Sequence, residues 1–252
     1  MDQMLAPIRA KSLKEVFIER FEALILSGKL EVGQKLPSER ELAEALGVSR
    51  PVVHEGLRDL EVRGMVTMKP RVGTVVNDYR LDGSLAILSS LLSHYSGELE
   101  TKLLDSMFEM RILFETETVR LAALNRTEEQ RQVFHRLIGE WDTVDMKDLE
   151  ATADLYFRFH HHVAMASNNL FYPLLLNSFK NVYLSMARQS FIDAPVVPRV
   201  SSCHRRIATA VDAKDPEAAV AAMRDLILFG ETHLKGLIEA SGRNRGTLPP
   251  AP

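Results

Sequence analysis

A single cysteine, Cys203, is all the chain holds, so no internal disulfide can staple it and a reducing, cytoplasmic setting is expected. No basic-then-apolar leader opens the sequence. No apolar run approaches the ~20 residues a bilayer span needs, so a soluble chain with no membrane partner is expected. A basic excess is missing too: 31 Lys and Arg stand against 34 Asp and Glu, a net charge of −3. Neither part of the chain escapes this balance, with 13 Lys/Arg against 12 Asp/Glu over residues 1–80 and 18 against 22 over 81–252. Charge alone therefore suggests no nucleic-acid partner, yet it excludes none, because what counts is where the cations point. No internal repeat is visible, and beyond residue 98 there is no strand signal. With 46% apolar and 26% charged residues the composition is that of an ordinary globular protein, and 252 residues suffice for two domains.

What is present is local and ordered. Ser12 and Glu15 have capping-box spacing, and Leu13, Val16, Phe17, Phe21, Leu24 and Ile25 then recur at helical intervals up to Gly28. Leu30 to Leu36 reads as a short extended piece. Ser38 and Glu41 form a second capping box, opening a short helix that stops at Gly47. One residue later Ser49 is placed to cap a third helix, with Pro51 in its first turn and Gly64 past its end. Met65–Met68 and Thr74–Val76 then read as a β-hairpin with Lys69, Pro70, Arg71, Val72 and Gly73 at its tip. Two helices joined by so short a turn cross steeply, and the second projects its N-terminus outward, the geometry that enters a major groove.

After a linker at 79–98, residues 99–240 read as helix after helix. Starts are expected at 99, Thr127, Asp145 and Asn168/Asn169, a break at Pro195–Pro198, then helices over 199–213 and 216–240 and a disordered tail at 241–252. The fold class is thus mainly α: a winged helix-turn-helix over 8–78, with its small β-hairpin wing, followed by an all-α helical-bundle domain.

The segment from Gly33 to Pro51, GQKLPSERELAEALGVSRP, with Leu57, Leu60, Glu61, Gly64, Gly73 and Thr74 after it, resembles the signature of the GntR family of bacterial regulators. The helical remainder resembles the FCD ligand-binding domain of its FadR subfamily, carried by Arg111 with Glu115, Phe159-His160 followed by Asn169, and His204 followed by the Asp215-Pro216 helix start. The resemblance implies a homodimeric transcription factor that binds a pseudo-palindromic operator, most simply a repressor, and answers to a small effector. It assigns DNA contact to Arg40, Ser49, Arg50 and His54, and to the wing at Lys69, Arg71 and Gly73. At the start of a helix a serine and an arginine suit a phosphate, and the arginine also reaches guanine bidentately. The family pattern has arginine where His54 stands, and its glycine-rich wing tip is here Pro70-Arg71-Val72 before Gly73. Arg58 and Arg63, by contrast, have Glu55, Asp59 and Glu61 near enough to pair with.

Three polar residues interrupt apolar helical stripes in the second half: Arg111, His160 and His204. Such groups must be satisfied or must line a cavity. The resemblance implies a cavity, with Arg111 on an effector carboxylate and His160, Asn169 and His204 near it; the competing reading of the two histidines is a pair of core residues bonded to each other's surroundings. Many domains of this kind hold a divalent metal with one Asp and three His. His160 and His204 occupy two of those positions, but Tyr156 and Leu226 occupy the other two, and neither Asp154 nor Asp225 substitutes well. The run His160-His161-His162 is no cluster, since consecutive helical residues point about 100° apart; His161 and His162 are expected at a surface or dimer face, and His233 in the core. An acyl-CoA-responsive regulator with a long apolar tunnel is one rival reading. A metal-dependent enzyme is another, lacking both a complete ligand set and a base.

Overall fold

The computed structural model describes residues 11–88, 90–91, 98–193 and 195–245. The chain divides into two compact units, Met1–His94 and Tyr95–Pro252. The expected domain start at residues 8–10, parts of the linker and the tail from 246 lie outside the described residues.

In the first unit, α1 (Leu13–Leu26) opens on the Ser12 capping box and α2 (Glu39–Leu46) on that of Ser38. In each, the serine hydroxyl accepts the N–H three residues on and the glutamate accepts the serine N–H. Gly47 closes α2 at φ 65°, and α3 (Arg50–Val62) starts three residues later. Ser49 holds the N-cap position of α3 but its hydroxyl makes no cap bond; Pro51 removes only one of the two N–H groups such a hydroxyl can take, and that of Val52 is not used. Phe17 and Phe21 stack with ring centroids 4.3 Å apart, in a core shared with Val53, Leu57 and Leu60. The crossing of α1 over α3 is so close that a Cβ at Gly56 would lie 2.3 Å from the Phe17 ring.

The wing is β1 (Val66–Lys69) against antiparallel β2 (Gly73–Val76), with Val66 opposite Val76 and Lys69 opposite Gly73. The extended piece expected from Leu30 adds itself to this hairpin only near its end, where Lys35 bridges Val75 and Leu36 N–H donates to the Thr74 carbonyl at 2.8 Å. What reads as linker is partly folded: α4 (Tyr79–Asp82) and a 3₁₀ turn at Leu85–Ile87 return to the end of α3, where Ser84 N–H donates to the Arg63 carbonyl.

The second unit comprises α5 (Glu98–Asn125), α6 (Glu128–Glu140), α7 (Leu149–Ala166), α8 (Phe171–Ser178), α9 (Lys180–Phe191), α10 (Val196–Asp212) and α11 (Pro216–Arg245), with no strand among the described residues. Helix α11 packs along α5 and against α10, while α7 is packed by α5, α6, α8 and α9. That position buries α7 on most of its faces, including Tyr156, Phe159 and His160.

Four expectations about elements shift. Asp148, not Asp145, caps α7, and Asp145 orders the turn before it by accepting from Lys147 N–H. Asn168 adopts a left-handed φ of 61° ahead of α8. The Pro195–Pro198 stretch begins a helix instead of interrupting one, since prolines in a first turn forfeit no intrahelical bond. Finally, α11 runs on to Arg245.

Candidate functional site

In the first unit, the N-termini of α2 and α3 and the wing tip face one open concavity of about 770 Å³. Its walls bring together Arg40 and Arg50 from the two helix starts, Lys69, Arg71 and Gly73 from the hairpin, and Lys35 from the strand-like piece beside it. Lys35 was not among the contacts expected from sequence. Its signal is only positional: it pairs with β2 at Val75, and its side chain runs along Gly73. Arg71 sits at the tip with φ 64°, a left-handed turn position.

The decisive electrostatic fact is which cations are already spent. Lys35, Arg40, Arg50, Lys69 and Arg71 make no side-chain ion pair or hydrogen bond with the described residues. Several other cations of this unit do: Lys11 meets Glu19 at 2.7 Å, Lys14 meets Asp59 at 3.0 Å, Arg58 meets Glu61 at 3.7 Å, and Arg80 meets Asp78 at 2.7 Å, while Arg20 and Lys29 lie outside the concavity lining. Arg63 is paired as well, with a partner from α1 that sequence spacing did not suggest: the buried Glu22, at 2.6 Å. His54 lies on the exposed side of α3, its Nδ1 held 2.8 Å from Glu39 Oε1. Ser49 is exposed beside Arg50.

In the second unit the three expected polar side chains meet, and they recruit others. Arg111 and Glu115, one turn apart on α5, are both buried and joined by Nε donating to Oε1 at 2.6 Å. Tyr183 on α9 donates its hydroxyl proton to the same Oε1 at 2.6 Å. Glu115 Oε2 is in direct contact with His160 Nδ1, and neither atom has another partner. His160 Nε2 lies 3.4 Å from His204 Nε2, and the indole N–H of Trp141 donates to His204 Nδ1 at 3.1 Å. Burial would push the Glu115 carboxyl up, but the Arg111 guanidinium and His160 outweigh it and hold that group well below the usual carboxylate range. Burial, reinforced by His160, drives His204 well below the ordinary imidazole value. The Tyr183 hydroxyl is raised, by burial first and then by the Glu115 charge.

Arg111 also donates from Nη2 to the Tyr156 hydroxyl at 2.8 Å, with its guanidinium carbon 4.6 Å from the centre of the Tyr183 ring. Its Nη1 makes no hydrogen bond with the described residues, and the side chain lines a small, partly open cavity of about 30 Å³. Tyr156, Met186, Ser190, Phe229 and His233 also line that cavity. His233, expected as a core residue, is therefore a cavity residue; its Nε2 lies 3.3 Å from the Ser190 carbonyl.

His160 and His204 do not line the cavity but stand behind Tyr156, buried and 3.4 Å apart at their Nε2 atoms. Asn169 is elsewhere: its Oδ1 accepts the Phe171 N–H at 2.9 Å and so orders the start of α8. His162 diverges from His160 to meet the Gln130 carbonyl, its ring edge-on to Phe134.

These donors do not fit a metal centre. Tyr156 is engaged by Arg111, Leu226 is buried hydrocarbon, Asp154 pairs with Arg158, and Asp225 pairs with Arg206. Among the described residues no three His, Cys, Asp or Glu side chains converge.

Comparison with known proteins agrees with both halves. A family model for bacterial regulatory proteins of the gntR family matches residues 13–76, and one for the FCD domain matches 106–229. The chain is 31% identical to the HTH-type transcriptional regulator LutR of Bacillus subtilis over 222 residues, 86% of this chain and 98% of the relative. It is 32% identical to the Glc operon transcriptional activator of Escherichia coli over 220 residues, 84% of each. With the HTH-type transcriptional regulator Mce2R of Mycobacterium tuberculosis it shares 29% over 238 residues, 93% of this chain and 96% of the relative. The solved structure of Lar from Listeria monocytogenes is similar in fold, with a TM-score of 0.65 and 18% identity over 91% of this chain and 99% of that one. Among the described residues no helix is long and apolar enough to cross a membrane.

Proposed function

The chain belongs to the GntR family of bacterial regulatory proteins and carries an FCD domain, and on that premise we propose that it is a cytoplasmic homodimeric repressor, released from a pseudo-palindromic operator when a small carboxylate enters the helical unit at Arg111. It is a DNA-binding transcription regulator with a C-terminal effector domain, as its relatives are.

The observation that carries the effector assignment is the unspent end of Arg111. Glu115 and Tyr156 fix Nε and Nη2, while Nη1 remains without a partner on a residue that borders the cavity. A guanidinium held on one side and open on the other suits a carboxylate, which accepts from such a fork in charge-assisted bonds. Glu115 keeps the site from being an isolated buried cation when empty. At about 30 Å³ the cavity holds little more than water. Binding must therefore swell it by moving side chains of α9 and α11, and an effector that favours the swollen arrangement shifts the population of the whole domain. A long acyl tunnel has no counterpart in so small a space.

On the DNA side, Arg50 and Ser49 address the major groove, Arg40 and Lys35 the phosphates, and Lys69, Arg71 and Gly73 the neighbouring backbone or minor groove. His54, tied to Glu39, offers a weaker and shorter contact than an arginine would.

The test is a thermal-shift screen of small mono-, hydroxy- and dicarboxylates against acyl-CoAs, followed by operator titration and in vitro transcription. A carboxylate is expected to raise the melting temperature and lower operator occupancy, and Arg111→Gln, checked for folding by circular dichroism, is expected to lose the response. Stabilisation by acyl-CoA alone overturns the effector class. Transcription that rises on operator binding overturns repression, and a monomeric mass by light scattering overturns the dimer.

A further inference from the structure

The buried polar chain of the helical unit has a direction, and one residue sets it. An indole N–H is a donor with no acceptor capacity, so His204 Nδ1, which receives it at 3.1 Å, must be bare. A neutral imidazole bare at Nδ1 carries its proton on Nε2, and that proton points at His160 Nε2, 3.4 Å away. His160 Nε2 is then the acceptor, and His160 carries its proton on Nδ1, against Glu115 Oε2. The other end imposes the same direction independently. A carboxylate gripped by the Arg111 guanidinium and the Tyr183 hydroxyl can only accept, so the His160 nitrogen facing it must donate. The His204 ring is held in its plane by stacking on Phe159 at 3.9 Å and by Tyr156 at 5.5 Å. All six side chains of the chain are buried.

We propose that Trp141 is a positioning residue that fixes the tautomer of His204, aligns the chain from Trp141 through His204 and His160 to Glu115, and so makes this core a metal-independent support for Arg111. A divalent cation would need the lone pair of His204 Nε2, which sends the ring proton to Nδ1 and sets it against the indole N–H, donor facing donor. His160 alone has the arrangement a metal-bound histidine favours, with its second nitrogen on a carboxylate. Two of the family's four ligand positions are Tyr156 and Leu226, and Trp141 disables a third. Direct recognition by an organic cation then replaces chelation. The inference stands apart from the carboxylate reading, because protons and metal content are measured with no effector present.

The test uses the full-length protein. Long-range proton–nitrogen NMR of the imidazoles is expected to show His204 protonated on Nε2 and His160 on Nδ1, with neither set of signals moved or broadened by added Zn²⁺ or Mn²⁺. Elemental analysis of purified protein is expected to find no stoichiometric metal at these residues. A His204 proton on Nδ1, or stoichiometric metal that broadens both histidines, overturns the proposal. Trp141→Phe, which keeps an aromatic ring but removes the donor, is expected to leave His204 in a mixture of tautomers; unchanged signals would also sink it. In a Tyr156→Asp/Leu226→His background, adding Trp141→Phe is expected to tighten Zn²⁺ binding about ten- to a hundredfold, the usual reach of an outer-sphere partner. No tightening would mean that Trp141 does not guard the site.

Discussion

At the scale of single residues, the difference between a cation that is spent and one that is free decides what a substitution does. Arg50 has no carboxylate to release, whereas Arg58 has Glu61. Arg50→Ala is therefore expected to cost about 1–3 kcal/mol of specific operator binding, with Arg58→Ala close to wild type, both read by fluorescence-anisotropy titration. Equal losses would erase the distinction. His204 yields a second prediction, with the opposite dependence from a paired histidine. Its folded value is depressed below 6.5, by burial and by His160, so the native state binds fewer protons than the unfolded chain. The stability it permits is full above the unfolded value of about 6.5 and falls as acid takes the pH below it. An added proton would go to His204 Nδ1 and face the Trp141 indole N–H, donor against donor. Melting temperature is expected to fall as the pH drops below about 6.5, and His204→Gln to flatten that part of the profile; parallel profiles would count against it. Arg111 with Glu115 was visible in sequence because the pair is one helical turn apart, and the two histidines because they break apolar stripes. Trp141 and Tyr183 carried no such mark. Their partners lie 63 and 68 positions away, and either could be an ordinary aromatic of the core.

Local chemistry wrote the starts of most elements, and those were readable. The capping boxes at Ser12, Ser38 and Thr127 form as their spacing requires, because the interaction closes within three residues. Boundaries without local chemistry were not readable. Helix α9 starts at Lys180 directly behind Phe179 with no side-chain cap, and α10 takes its first turn through prolines that look like a break. In both, tertiary packing overrides the local signal. Close packing of elements also creates a sensitivity that no pattern announces. Alanine is the better helix former, so Gly56→Ala in isolation should strengthen α3. Its Cβ, however, would stand 2.3 Å from Phe17, and overfilling of that kind costs about 1–3 kcal/mol. The steric cost is the larger, and the variant is expected to unfold at a lower temperature by calorimetry. A rise would show that α1 and α3 can separate freely.

For the whole molecule, net charge gave the wrong intuition, and the reason is geometric. Counting signs treats every lysine and arginine as available, yet in the first unit Lys14, Arg58, Arg63 and Arg80 are each neutralised by a carboxylate while five others share one concavity unpaired. A chain of net charge −3 thus presents DNA with a cationic surface. Two carboxylates, Glu39 and Glu41, line the same concavity, but the first is held by His54 and the second by the Ser38 cap. The consequence is measurable as counterion release. If all five cations of one head reach phosphate, the logarithm of operator affinity should fall with the logarithm of salt concentration by about four to five units per head. Fewer contacts give a shallower line, since a cation aimed at a base edge releases less. Removing Lys69 and Arg71 together is expected to reduce the slope by about two per head, while removing Arg58 should leave it unchanged even though the formal charge also drops. Slopes that track formal charge in both variants would mean that the long-range field of the molecule, and not the concavity, governs its grip on DNA.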